Sequence, residues 1–253
     1  MKKKILAIML CVAMLAIMLV SGTLAYFTDA KEQTNTFTAG SLRITLDEVK
    51  VNTTPNADGD LTAVDSGERT SETQSYKLFP GMTVDKDPTI TLVKGSENAY
   101  LASIITVTFD TDADLDVLKE NGLYDATNDL LDLTAILEGD YIKELQAKED
   151  HPLSAGGLLV SGNDTYSVYQ KADSANRTFT FYMFFEGVQP AETQITIFDS
   201  MIIPDGWNNE DMAAVNGMQI HVAAYGAQSV GFDNCFEAMT TAFPTAFPFA
   251  EEE

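Results

Sequence analysis

Four aspartates alternate in the run FDTDADLD, at Asp110, Asp112, Asp114 and Asp116. A second oxygen-rich run, NADGDL, spaces Asn56, Asp58 and Asp60 in the same way. Neighbouring carboxylates repel one another, and calcium, which takes about six to eight oxygen ligands, relieves that repulsion. Both runs are therefore calcium candidates. Neither meets the EF-hand pattern, because each lacks the distal glutamate at the required spacing. Solvated loop acid is the competing reading, and Asp112 or Asp114 could instead cap the helix that follows.

Other chemistry finds less material. A catalytic zinc takes about three protein ligands and leaves one position open. The chain has two histidines and no His–Glu–x–x–His. His151 precedes Pro152 after an acidic run, and His221 falls on the opposite strand face from Ile220 and Val222. Gly226–Gly231 reads GAQSVG, one residue out of register with the Gly–x–Ser–x–Gly of a nucleophile elbow. Cys235, on an apolar helical stretch with no paired histidine, reads as a buried small side chain, with intermolecular pairing as the alternative. No catalytic residue is assigned, and calcium is the one cofactor kept open.

Charge narrows the partners. The 253 residues carry 15 Lys and Arg against 38 Asp and Glu, a net of -23. Nucleic-acid binding needs basic side chains facing phosphates, so it is excluded as a default. Lys2, Lys3 and Lys4 precede an apolar run of 16 residues, Ile5–Val20, and then Ser21, Gly22 and Thr23. That run is short for a bilayer span of about 20 residues and suits a signal peptide. Thr23 and Ala25 supply the small side chains a signal peptidase needs, placing the cut between Ala25 and Tyr26. Losing residues 1–25 removes three lysines and Cys11, so the mature chain would carry a net of -26. No later stretch is apolar enough to span a membrane.

Strand signals dominate the remainder. Arg177–Glu186, RTFTFYMFFE, alternates Phe179, Phe181, Met183 and Phe185 with Thr178, Thr180 and Tyr182. Leu42, Ile44 and Leu46 alternate too, with a parity slip near Asp47–Glu48 that suggests a bulge. Further strands are predicted at Thr89–Lys94, Tyr100–Phe109, Thr165–Lys171, Thr193–Ile203 and Gly217–Ala227, with turns at Pro80–Gly81 and Gly95–Ser96. Helix is predicted at Leu115–Leu118, over Ala126–Lys148 as a kinked pair within a helical insertion (111–150), and at Asp233–Phe243. Asn52–Thr73 reads as a long exposed loop, and the acidic tail 244–253 as flexible. The pattern predicts a single all-β domain over 26–253, an antiparallel β-sandwich with a helical insertion and a C-terminal helix.

Three blocks carry a family likeness. Gly22–Glu48, GTLAYFTDAKEQTNTFTAGSLRITLDE, closely resembles the N-termini of the TasA/camelysin family of Gram-positive bacteria, whose precursors are cut by a SipW-type signal peptidase. Leu78–Val93 has the Pro–Gly segment before a strand, and Phe198–Phe232 resembles the family's Phe–Asp, Ile–Pro and Trp segment with its closing strand. The resemblance implies a jelly-roll-like sandwich, secretion, and fibre assembly in an extracellular biofilm matrix by donation of an N-terminal strand. A spore-surface role is the companion expectation, with related matrix or accessory proteins as partners. The donor segment would be Tyr26–Gly40, whose Phe27 and Phe37 could fill apolar gaps in a neighbour. Two rivals remain: a camelysin-like secreted metallopeptidase, and a monomeric surface-binding or adhesive module.

Overall fold

The computed structural model describes residues 41–55, 61–110, 113–142, 158–162 and 165–249. All of them lie in the compact unit Gly40–Glu253. The expected signal peptide with Ala25, the segment Tyr26–Gly40 with Phe27 and Phe37, the Asn56–Asp60 run, Asp112 and His151 lie outside the described residues.

The period-2 run becomes the central strand of a five-stranded sheet. Its order is β14 (Gln219–Gln228), β5 (Ala99–Thr108), β11 (Thr178–Gln189), β10 (Tyr166–Asp173) and β9 (Leu158–Gly162). A second sheet of four runs β12 (Gln194–Thr196), β4 (Thr89–Leu92), β1 (Ile44–Pro55) and β2 (Leu61–Thr70). Every pairing is antiparallel. Ile90, Leu92 and Ile195 of the smaller sheet share one core with Leu101, Ile105, Phe181 and Met183 of the larger. Two sheets closing on one apolar layer make the expected all-β sandwich. A short sheet of β3 (Thr83–Asp85), β13 (Ser200–Ile202) and β8 (Leu137–Glu138) adds Val84, Met201 and Leu137 to that core.

The other face of the larger sheet is buried as well. Tyr100, Ala102, Ile104, Tyr182 and Phe184 form a second cluster with Met239, Phe247 and Phe249. Its cover begins with the expected C-terminal helix, Cys235–Ala242, whose first turn is capped by Asn234 Oδ1 accepting from Glu237 N at 2.8 Å. The chain beyond it is not free as the sequence suggested. Phe247 is 0% exposed and Phe249 6% exposed, with Phe247 5.3 Å from the Phe184 ring and Phe249 4.7 Å from Tyr182. Those two sheet residues would otherwise face water, so the repeated Phe–Pro segment is a cover as far as Phe249.

Three other expectations need correction. Asn52–Thr73 is not a long loop: β1 continues to Pro55 and β2 returns beside it. Polar residues crowd the sequence of both strands, so no alternation marks them. Distant residues hold the hairpin, since Arg69 pairs with Asp47 and also donates from Nη1 to Asp87 Oδ2 at 2.7 Å. The parity slip at Asp47–Glu48 is the point where β1 changes partner, from β4 up to Asp47 to β2 from Glu48, with the ladder irregular between Val49 and Val51.

The second correction concerns the helix predicted over Ala126–Lys148: Ala126–Ile142 forms no α-helix, and 143–148 lie outside the described residues. A helix spans Leu115–Glu120, followed by the strand pair Tyr124–Asp125 and Leu130–Leu131 and a 3-10 turn at Leu133–Ala135. The leucines are buried as their spacing suggested, but aspartates take the backbone elsewhere. Asp125 Oδ1 accepts from Thr127 N at 2.8 Å, and Asp132 Oδ1 from Thr134 N at 2.9 Å. Gln170, 1% exposed, pins this excursion to β10 by exchanging both amide hydrogen bonds with the backbone of Leu131. Third, Thr193–Ile203 is two strands in different sheets, joined through the fully buried Ile197 and Phe198.

If the tail is a structural cover, Phe247→Ala should lower stability by about 3 to 5 kcal/mol, the usual cost of emptying a buried Phe site. Urea unfolding of the purified chain measures this, and an unchanged midpoint would return the tail to the flexible class.

Candidate functional site

Helix Leu115–Glu120 consumes part of the aspartate run. Asp114 Oδ1 accepts from Asp116 N at 2.9 Å, the N-cap role foreseen for it. Asp116 is exposed in the first turn. Asp110 is exposed beyond β5, against Gly217, where an added Cβ would meet its Oδ2 at 3.3 Å. Among the described residues no three His, Cys, Asp or Glu side chains converge as a metal ion would need.

The feature with room for a partner is a groove of about 1020 Å³ beside β14. One wall is the N-terminal part of β14; another is the stretch Thr70–Leu78. β14 pairs with β5 along one edge, from Gln219 opposite Thr108 to Gln228 opposite Ala99, and is the last strand of its sheet. Natural edge strands are blunted by charge or proline, yet Gln219–Gln228 contains neither. Met218, Ile220, Val222 and Ala224 lie against the main core but stay only half-buried.

The Thr70–Leu78 wall lies outside any strand after Thr70, yet its side chains alternate. Gln74, Tyr76 and Leu78 are half-buried while Ser75 and Lys77 are exposed. Among the described residues, the backbone of Thr73–Leu78 makes no hydrogen bond to another backbone group. A side chain anchors it instead. The Gln74 carboxamide accepts from Val51 N at 2.9 Å and donates to Val49 O at 2.8 Å and Glu48 Oε1 at 2.9 Å. The other Glu48 oxygen pairs with Lys86, both side chains being almost buried, 13% and 12% exposed. Lys86 Nζ stands 5.8 Å from the Tyr76 ring. The Tyr76 hydroxyl is buried and has no hydrogen-bond partner among the described residues. Burial, and secondarily the Glu48 charge, pushes its pKa well above the usual phenol value. Turn geometry ends this wall: Gly81, at φ +78, follows Pro80, with Met82 N donating to Phe79 O at 3.1 Å.

The sequence reading missed Gln74 and Tyr76. The signal was present as the alternation of Gln74, Tyr76 and Leu78 with Ser75 and Lys77, obscured by the polar stretch before it.

The camelysin metallo-endopeptidase family matches residues 1–183, well over half of the sequence. The chain belongs to the camelysin family. Searches of curated proteins and of solved structures found no match. Family membership agrees with the TasA/camelysin likeness, and among the described residues no helix is long and apolar enough to cross a membrane.

The camelysin metallo-endopeptidase description implies a metal. His221 is exposed and lines the groove, but the carboxylates lining it at Asp47 and Glu48 are held by Arg69 and Lys86. Cys235 is 0% exposed, and its thiol donates to Leu101 O at 3.2 Å. Burial raises its pKa, which disfavours the thiolate a metal would bind. The described residues do not fit a zinc centre.

Tyr76 also makes the fold sensitive to alkali. A phenol whose pKa is raised by folding stabilises the fold fully below the unfolded value near 10, and loses that contribution as pH rises above it. Burial raises Tyr141, Tyr169 and Tyr182 in the same direction. The urea midpoint should therefore fall between about pH 8 and about pH 11. Tyr76→Phe should remove part of that fall; an identical pH slope in the variant would contradict the burial of this hydroxyl.

Proposed function

We propose that this chain is an exported structural subunit that associates with copies of itself in an extracellular matrix or on a spore surface. It does so by laying its Tyr26–Gly40 segment into the groove of a neighbour. The observation that carries this reading is one groove lined by the edge strand β14 and by Thr73–Leu78, whose backbone makes no hydrogen bond to another backbone group among the described residues. A strand entering there would satisfy main-chain groups on either side, while pockets between them would select alternate side chains.

The sequence offers one segment suited to the task. Tyr26–Gly40 directly precedes Ser41, where the described fold begins. At about 3.3 Å per residue, its fifteen residues reach roughly 50 Å when extended, more than the roughly 30 Å of the Thr70–Leu78 wall. Phe27 and Phe37 share one parity and would face the same side. Membership of the camelysin family is consistent with a protein that works outside the cell.

Deleting Tyr26–Gly40 from the mature chain should leave a folded monomer with unchanged far-ultraviolet dichroism and no fibres. Electron microscopy beside size-exclusion chromatography reads both properties. Polymerisation of the truncated protein as readily as the intact one would refute strand donation.

A further inference from the structure

The sequence contains two Asn–Gly steps, Asn121–Gly122 and Asn216–Gly217. Glycine has no Cβ to shield its own backbone nitrogen, so that nitrogen can reach the carboxamide carbon of a preceding asparagine. The fold treats the two steps differently. At the first, Gly122 N is engaged, donating to Lys119 O at 3.1 Å, and Asn121 Nδ2 is buried at the end of helix Leu115–Glu120. At the second, Met218 N donates to Val215 O at 3.1 Å, which makes Asn216 and Gly217 the central residues of a turn. Gly217 supplies the positive φ, +74, that such a turn asks of glycine. Closing the turn engages Val215 and Met218 and leaves Gly217 N unspent. Among the described residues it makes no backbone hydrogen bond. Asn216 and Gly217 are both exposed.

We infer that Asn216–Gly217 is a site of spontaneous deamidation in the wall of the groove. Gly217 N attacks Asn216 Cγ, the new N–Cγ bond closes a cyclic imide, and the Cγ–Nδ2 bond breaks. Ammonia leaves, taking the Gly217 amide proton with it. Water then opens the imide, giving aspartate when it adds at Cγ and isoaspartate when it adds at the main-chain carbonyl. The step needs no oxidant and no enzyme. Either product replaces a neutral carboxamide with a carboxylate, and isoaspartate also lengthens the backbone of the turn. Position gives the change its effect. Asn216 lines the groove and stands three residues before Gln219, where β14 begins. Asp110 already lies against Gly217, so the new carboxylate arrives beside an existing one in a chain of net -23. A free acceptor groove therefore degrades with time. That consequence, unlike the modification itself, rests on the strand-donation reading above.

The test ages the whole mature chain, Tyr26–Glu253, in mildly alkaline buffer and maps its peptides by mass spectrometry. Folded protein should accumulate aspartate and isoaspartate at residue 216 while Asn121 stays intact. The same chain unfolded in urea should convert at both steps. A folded chain whose Asn216 persists as long as its Asn121 overturns the inference. Anion exchange then separates the aged form from the intact one, and their critical concentrations for fibre assembly are compared. The aged form should need roughly two- to fivefold more protein, the weight of one misplaced exposed charge. Equal critical concentrations overturn the effect on the groove and leave the modification standing. A wild-type chain that stays monomeric overturns strand donation, whereas the peptide map still decides the modification.

Discussion

A sheet whose central strand bears large apolar side chains on both faces must be covered twice, and this chain is arranged around that requirement. β11 presents Phe179, Phe181, Met183 and Phe185 to one core and Tyr182 and Phe184 to another. β5 does the same, with Leu101, Ile105 and Val107 on one side and Tyr100, Ala102 and Ile104 on the other. The inner cover is a second sheet, which brings its own hydrogen-bonded ladder. The outer cover is one helix and a Phe–Pro segment held mainly by ring contacts, with few backbone ties beyond Phe247 N donating to Phe243 O at 2.9 Å. Removing the chain end would therefore expose aromatic surface that no other described element is placed to hide.

The inner cover also explains the groove. β1 starts on β4 and finishes on β2, and the residue at the change of partner is Glu48. That crossing directs Glu48 toward Lys86 and Gln74, so the polar knot follows from strand exchange and is not an isolated ion pair. Gln74 fixes Thr73–Leu78 by side-chain hydrogen bonds to β1, which leaves the main chain of that stretch without a ladder. On the other wall, β5 already has β11 on its far side, so β14 ends the sheet. Among the described residues, two backbone stretches without a ladder on one side result from where the partners of β1 and β5 run out.

Legibility in the sequence followed the source of each element's stability. β4, β5, β10, β11 and β14 have one or both faces in an apolar core, and their alternation announced them. The C-terminal helix showed its stripe through Phe236, Met239 and Phe243. β2 was invisible because its support comes from Arg69 reaching Asp47 and Asp87, residues whose proximity no local pattern encodes. Leu130, Leu131, Leu133, Ile136 and Leu137 fit a helical stripe, yet are equally well buried by a chain that turns at Asp125 and Asp132. Burial was legible there and backbone path was not. The groove was hardest of all, since a pocket between unpaired edges depends on which partners are missing.

Charge bears on how such a subunit would meet its copies. The chain is strongly anionic, so two subunits repel at long range, and salt shortens that repulsion to a Debye length of about 8 Å at physiological strength. Yet the elements proposed to join carry little net charge. β14 has no charged residue, and Tyr26–Gly40 has only Asp29, Lys31 and Glu32, a net of -1. Most of the repulsion thus comes from the rest of the acidic chain, where it opposes indiscriminate association. An uncharged edge strand in a neutral protein would be an aggregation hazard. Inside a strongly acidic one it becomes selective, because a partner must contribute enough main-chain hydrogen bonds and buried side chains to overcome the approach. Short stray peptides fall short of the length of Thr70–Leu78, whereas the fifteen residues of Tyr26–Gly40 in a second copy exceed it.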